Sequence, residues 1–309
     1  MPPDNYFCKK NYLKHWKAHA AVLSANLIFG INFSVVQYAT KKVVAPFGLN
    51  VLRVGISTLL LWILIFFSST KAGIQKKHWG RFILCALTGV VINQMLFIKG
   101  LSMTLSIHAS LLILVTPIFI TGVAAWMGIE KLSFVKIAGL ITGVAGAVML
   151  ALNKEHDGNT NTALWGDIFI IINAISYAFY FVLVKPLMTQ YNPVHVIRWV
   201  FTIALVFVVP LGWNELSVVQ WETLSVKDIG AVGFIVVGAT FFAYLFNLYG
   251  IHRLGASITG TYIYTQPIFA ALIAVLVLNE VFTLNKIIAA LLIVSGVYMV
   301  SRPHPLKGG

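Results

Sequence analysis

The sequence predicts an all-α integral membrane protein in which ten transmembrane helices form two inverted five-helix repeats around a central cavity. Three observations lead there. Hydrophobic residues make up 59% of the 309 and charged residues 10%, with a mean hydropathy of +0.88, whereas a soluble domain carries about 25% charged residues. Apolar runs long enough to cross about 30 Å of hydrocarbon recur along the chain. The second half also repeats the first at a constant offset. Such a composition excludes a water-soluble enzyme, and with 13% aromatic residues it excludes disorder, because there is ample surface to bury.

In order, the runs are residues 20–38, 49–67, 82–100, 107–126, 135–152, 165–183, 194–211, 229–249, 256–278 and 284–300. Short polar connections separate them: Lys41, Lys42 and Pro46, then Lys76 and Lys77, then Glu130 and Lys131, then residues 153–162 and 186–193. The expected organisation is a tail over 1–17, one repeat over 18–152, a second over 165–302, and a tail over 303–309. The basic, polar first 17 residues show no cleavable signal pattern. Cys8 and Cys85 have neither metal-ligand nor disulfide-framework spacing.

Orientation follows from lysine and arginine. With both termini in the cytoplasm, 15 basic residues fall inside and 6 outside, and Arg53 lies within the second run. Residues 213–228 then lie outside, carrying Glu215, Glu222 and Asp228 with Trp213 and Trp221 at the interface. The net charge of +13 is a topology signal, and no nucleic-acid partner is expected.

An offset of 150 brings Gly100 onto Gly250, Pro117-Ile118-Phe119 onto Pro267-Ile268-Phe269, Glu130 onto Glu280, and Lys136-Ile137 onto Lys286-Ile287. Residues 95–150 and 245–300 align without a gap, with 12 identities in 56 positions. Five crossings per half is an odd number, so the two copies must be upside down relative to each other. Inverted repeats of this kind build secondary transporters with a site near the midplane.

These features resemble the drug/metabolite transporter superfamily, EamA type: ten spans in two halves, a proline in the fourth and ninth spans, and a glutamate at the end of each. The resemblance covers residues 19–302. It implies a basket of helices around a cavity, in a permease or exporter of amino acids and other small metabolites, located in a prokaryotic inner membrane.

Polar side chains in hydrocarbon are costly and mark the pathway. Asn93 and Phe97, four apart, share a face of the third span, Tyr177 and Tyr180 share a face of the sixth, and Ile258, Tyr262 and Thr265 or Gln266 share a face of the ninth. With Asn32 and Asn247 these form an expected substrate-binding lining of Asn32, Asn93, Phe97, Tyr177, Tyr180, Asn247, Tyr262 and Gln266. His108, read as the single histidine within a span, is a candidate proton site. Arg53 and Arg198 are candidate anion contacts, although both lie near span ends from which they could snorkel to lipid phosphate. Pro117 and Pro267 each delete a backbone donor and are expected hinges.

Glu130 and Glu280 fall at helix ends, where they cap or pair with Lys136 and Lys286, and Ser133 and Thr283 stand as N-caps. On this reading no carboxylate remains at the membrane centre, which argues against proton antiport through an acid. Gly139, Gly143 and the small residues of 289–296 suit close helix packing or a dimer face.

The expected function is therefore alternating-access movement of a small polar or zwitterionic, amino-acid-like metabolite, by facilitated diffusion or export. A nucleotide-sugar or phosphorylated-metabolite exchanger of the same fold is the alternative. An embedded enzyme would need a clustered catalytic set that the sequence lacks. No cofactor or metal is expected. The expected partners are the small-molecule substrate and the lipid bilayer, with the chain a monomer or weak homodimer.

Overall fold

The computed structural model describes residues 16–64, 73–129, 132–152, 160–254, 259, 262–281 and 283–301. Among these there is helix and no strand. The helical segments are α1 (Trp16–Lys42), α2 (Pro46–Ile63), α3 (Lys76–Met103), α4 (Ser106–Trp126), α5 (Phe134–Ala151), α6 (Thr160–Met188), α7 (Pro193–Ser217), α8 (226–254), α9 (Tyr262–Leu278) and α10 (Leu284–Val300). Among the described residues eight helices are long and apolar enough to cross a membrane, and α9 and α10 are apolar but shorter. At 1.5 Å per residue those two reach about 25 Å, and part of the predicted ninth run lies outside the described residues.

Packing joins the halves. The main neighbours are α5 with α10, α2 with α7, α3 with α6, α1 with α8, α1 with α9, α4 with α6, α4 with α9, α3 with α7, and α2 with α8. Exchanging each helix for its counterpart five places on maps this set onto itself. Glycines bring α5 and α10 together, where a Cβ on Gly139 would stand 2.8 Å from the Gly296 carbonyl oxygen and one on Gly146 2.9 Å from that of Ala289. Only glycine permits such contact, so the small-residue stripe is used inside the chain. Ile141, Leu291 and Tyr298 on the same two helices are exposed.

Helix ends are closed by side chains, as their orphan N–H groups require. Glu215 of α7 accepts from the N–H groups of Phe47 and Gly48 at 2.6 and 3.0 Å, capping α2. Glu280, after α9, accepts from Ser106 and Ile107 N–H at 2.9 and 3.0 Å, capping α4. Glu280 thus caps a helix of the other half, while Lys286 Nζ donates to the Val281 carbonyl at 2.5 Å. Ser133 accepts from Lys136 N–H as expected, whereas the Thr283 hydroxyl makes no cap. Glu130 lies outside the described residues.

Candidate functional site

Both expected hinge prolines sit where a helix is interrupted. Helix α4 runs as Ser106–Ile113, breaks over 114–115, and resumes as Thr116–Trp126 with Pro117 in its first turn. Proline cannot donate to the Ile113 carbonyl, and the Thr116 hydroxyl donates there instead, at 2.6 Å. Helix α9 opens as a 3₁₀ turn, Tyr262–Thr265, before the α-helix Gln266–Leu278 with Pro267 in its first turn.

Two further irregularities were not legible in the sequence. Helix α3 contains a π segment, Leu87–Val91, and α8 contains one at the matching place, Phe234–Phe242. Wide turns of this kind are frequent at functional sites. The first lets Tyr180 pack over Gly89, where a Cβ would collide with the ring, and lets Ser176 donate to the Thr88 carbonyl at 2.7 Å. In the second, Thr240 Oγ1 donates to the Ile235 carbonyl five residues back, at 2.8 Å.

The expected lining residues divide between two helix contacts. On the α3–α6 side, Asn93 Nδ2 donates to the Asn173 carbonyl at 3.2 Å and Asn173 Nδ2 returns a bond to the Asn93 carbonyl at 2.7 Å. Tyr177 and Tyr180 lie ring to ring at 5.7 Å. On the α1–α9 side, Gln266 Nε2 donates to Asn26 Oδ1 at 2.8 Å, and the Tyr262 hydroxyl is 2.7 Å from His19 Nδ1. Phe97 bridges the two sides by an edge-to-face contact with Phe33 at 5.7 Å, next to the buried Asn32. Asn247 is half-buried on α8. Ile258 lies outside the described residues.

Both arginines are buried and make protein contacts, so neither reaches lipid phosphate. Arg53, 6% exposed, donates from Nε to Thr240 Oγ1 at 3.0 Å. Its Nη1 has no hydrogen-bond partner in the protein. Thr240 lines a cleft between α2, α7 and α8, together with Ser57 and Tyr244. Arg198 is 1% exposed. It lies over the Trp62 ring at 4.8 Å and bonds His195 Nδ1 at 2.8 Å. His195, buried on α7, is a second histidine within a span, so His108 is not the single one.

The larger correction is Asp167. It is a fully buried carboxylate on α6, within the predicted sixth run, and its presence removes the argument that no acid lies in the membrane interior. Asp167 accepts from the Thr104 hydroxyl, and its Oδ2 is 3.2 Å from His108 Nδ1. Gln37 of α1 donates to the Thr104 carbonyl at 2.7 Å and accepts from the Ser106 hydroxyl at 3.0 Å. With Glu280, half-buried, on the Ser106 and Ile107 N–H groups, α1, α6, the α3–α4 corner and the end of α9 share one polar network.

An all-helical apolar bundle with matched halves, paired proline breaks and buried polar side chains defines a polytopic membrane protein of the transporter class. The EamA-like transporter family matches residues 16–152 and 164–302. The chain belongs to that family, within the drug/metabolite transporter superfamily. It is similar to an uncharacterized transporter of Archaeoglobus fulgidus, 23% identical over 92% of this chain and 97% of that one. It is also similar to the uncharacterized transporter YoaV of Bacillus subtilis, 24% identical over 92% and 96%. A probable terminal-alkyne amino-acid exporter of Streptantibioticus cattleyicolor is 27% identical over 71% and 72%. A solved crystal structure matches in fold with a TM-score of 0.60 at 18% identity, covering 92% of this chain and 96% of that one. The protein is thus an integral membrane transporter and not an enzyme.

Proposed function

We propose that the protein moves a small polar or zwitterionic, amino-acid-like metabolite across the plasma membrane by alternating access, as facilitated diffusion or export. In this reading ten helices cross the bilayer as two inverted repeats, 18–152 and 165–302, with both termini cytoplasmic. Asn32, Asn93, Phe97, Tyr177, Tyr180, Asn247, Tyr262 and Gln266 line the pathway, and Pro117 and Pro267 are its hinges. The observation that carries the reading is a set of buried polar atoms without a partner in the protein: Asn32 Oδ1, both Asn50 amide atoms, Arg53 Nη1, Ser57 Oγ and Gln94 Oε1. Each such atom costs about 1–3 kcal/mol if left unpaired, and a polar solute passing between the halves would complete them. Support also comes from the half-exchange symmetry of the packing and from the amino-acid exporter among the relatives.

A nucleotide-sugar or phosphorylated-metabolite exchanger would need several cations facing one space. Arg198 is already engaged by His195 and Trp62, which favours the less charged substrate. The test is uptake of a radiolabelled metabolite panel into proteoliposomes, with and without a pH gradient. Accumulation of an amino acid or similar solute down its own gradient supports the reading. Uptake confined to sugar nucleotides or phosphates would replace it with the exchanger.

A further inference from the structure

We propose that the first two turns of α3 and of α8 are paired gate arms at opposite ends of the bundle, each hinged at its π segment and latched shut by a tyrosine, Tyr191 for α3 and Tyr38 for α8. The inference rests on the alternating-access reading and names the parts that open.

The arms are Trp79–Ala86 and Val226–Gly233, eight residues each, and each runs directly into a π segment, Leu87–Val91 or Phe234–Phe242. A π turn is one of the few features at which a helix kinks. Near the tips stand His78 and Asp228, which the offset of 150 superposes, with Lys77 on Lys227 and Gly80 on Gly230 beside them. On the α8 arm only Val232 is buried, so little apolar contact holds that arm besides its latch.

The Tyr38 hydroxyl, near the end of α1, donates to Asp228 Oδ1 at 2.7 Å. Asp228 Oδ2 accepts from the N–H and the hydroxyl of Ser225 at 3.0 and 2.6 Å. One carboxylate oxygen thus caps α8 and the other reaches across to α1. Tyr191 closes α6 with its N–H on the Leu187 carbonyl. Its hydroxyl is 2.7 Å from His78 Nδ1 and accepts from the Gln75 N–H at 3.2 Å, while its ring stacks on His195 at 5.4 Å. Each latch therefore ties an arm of one repeat to a helix end of the other.

The two latches are far apart. Gln37, next to Tyr38, donates to the Thr104 carbonyl just past the end of α3, whereas His78 lies at the start of that helix, about 40 Å away at 1.5 Å per residue. All four latch residues are half-buried. Water can replace each bond as it breaks, so one such bond shifts an equilibrium by only a few-fold. That suits a contact that holds one end shut and then releases it.

Opening is measured on full-length protein in nanodiscs, as the rate at which a charged methanethiosulfonate modifies a thiol on each arm. The thiols are the buried native Cys85 in a Cys8→Ser background, and Val232→Cys in a background lacking both native cysteines. Tyr191→Phe should speed modification of Cys85 by about two- to tenfold and leave position 232 unchanged, and Tyr38→Phe should do the reverse. Both variants keep the ring and lose only the hydroxyl.

A second measurement bridges each latch with a bifunctional methanethiosulfonate, again without the native cysteines. One pair is Lys42→Cys with Lys227→Cys, whose native ammonium groups stand 5.4 and 4.9 Å from the Tyr38 ring; the other is Gln75→Cys with Gln190→Cys. Bridging either pair should stop solute movement in proteoliposomes, and reduction should restore it. Unchanged thiol modification in both tyrosine variants, or solute movement that continues through a bridged pair, would overturn the gates and leave the transport reading in place. Faster modification in the tyrosine variants of a protein that moves no solute would leave the gates standing and end the transport reading.

Discussion

His108 and Asp167 meet inside the bundle, Nδ1 to Oδ2 at 3.2 Å, with neither side chain exposed. They come from α4 and α6, in different halves of the chain. Removing His108 leaves the carboxylate buried with the Thr104 hydroxyl still donating to it. His108→Ala should therefore lower stability by about 3–5 kcal/mol, the cost of breaking a buried pair. Asp167→Asn should cost less, and adding it to His108→Ala should recover part of the loss, a non-additivity read from a double-mutant cycle of thermal unfolding.

Glu280 caps α4 from the other half. Glu280→Ala should destabilise by about 1–2 kcal/mol through loss of both N–H acceptors, and Glu280→Gln by less, because its amide oxygen still accepts one. Melting temperatures in detergent decide between them, and an unchanged Glu280→Ala would remove the capping role.

At Gly296 an added Cβ would stand 2.6 Å from both the Gly139 carbonyl oxygen and the Gly143 nitrogen, backbone atoms that cannot rotate aside. Gly296→Ala should cost about 1–3 kcal/mol. Gly55 provides the contrast, since its Cβ would meet nothing nearer than Leu205 Cδ1 at 3.8 Å. Gly55→Ala should be neutral or stabilising by up to about 1 kcal/mol through helix propensity.

How much of this was legible depended on range. The proline breaks and the glycine stripes of α5 and α10 were visible because each residue type acts on its own helix or on a periodic face. Asp167 was hidden in an apolar window whose average outweighed one acid, and its partners Thr104 and His108 lie about sixty positions away. Glu280 looked like a local cap, but the groups it satisfies are more than 170 positions distant. The π segments left no pattern, because one extra residue per turn shifts a hydrophobic stripe without breaking it. For Arg53 and Arg198, closeness to a span end suggested an escape to lipid headgroups. The Thr240 hydroxyl and the Trp62 ring hold them inside instead.

Orientation rests on the distribution of basic residues. In a background lacking Cys8 and Cys85, a cysteine at Ser217 should react with an impermeant maleimide added to intact cells, and one at Gln75 should not. The reverse pattern would invert the topology.

The most direct measurement of the central claim is the initial transport rate, in proteoliposomes, of a solute identified from the panel, for alanine variants of Asn32, Tyr180, Asn247, Tyr262 and Gln266. If these side chains line the pathway, each variant should stay folded in detergent. Each should lose about 1–3 kcal/mol of solute binding, or roughly 5- to 150-fold in affinity. Wild-type rates in all five variants, with the protein folded, would contradict the account and place the pathway elsewhere in the bundle.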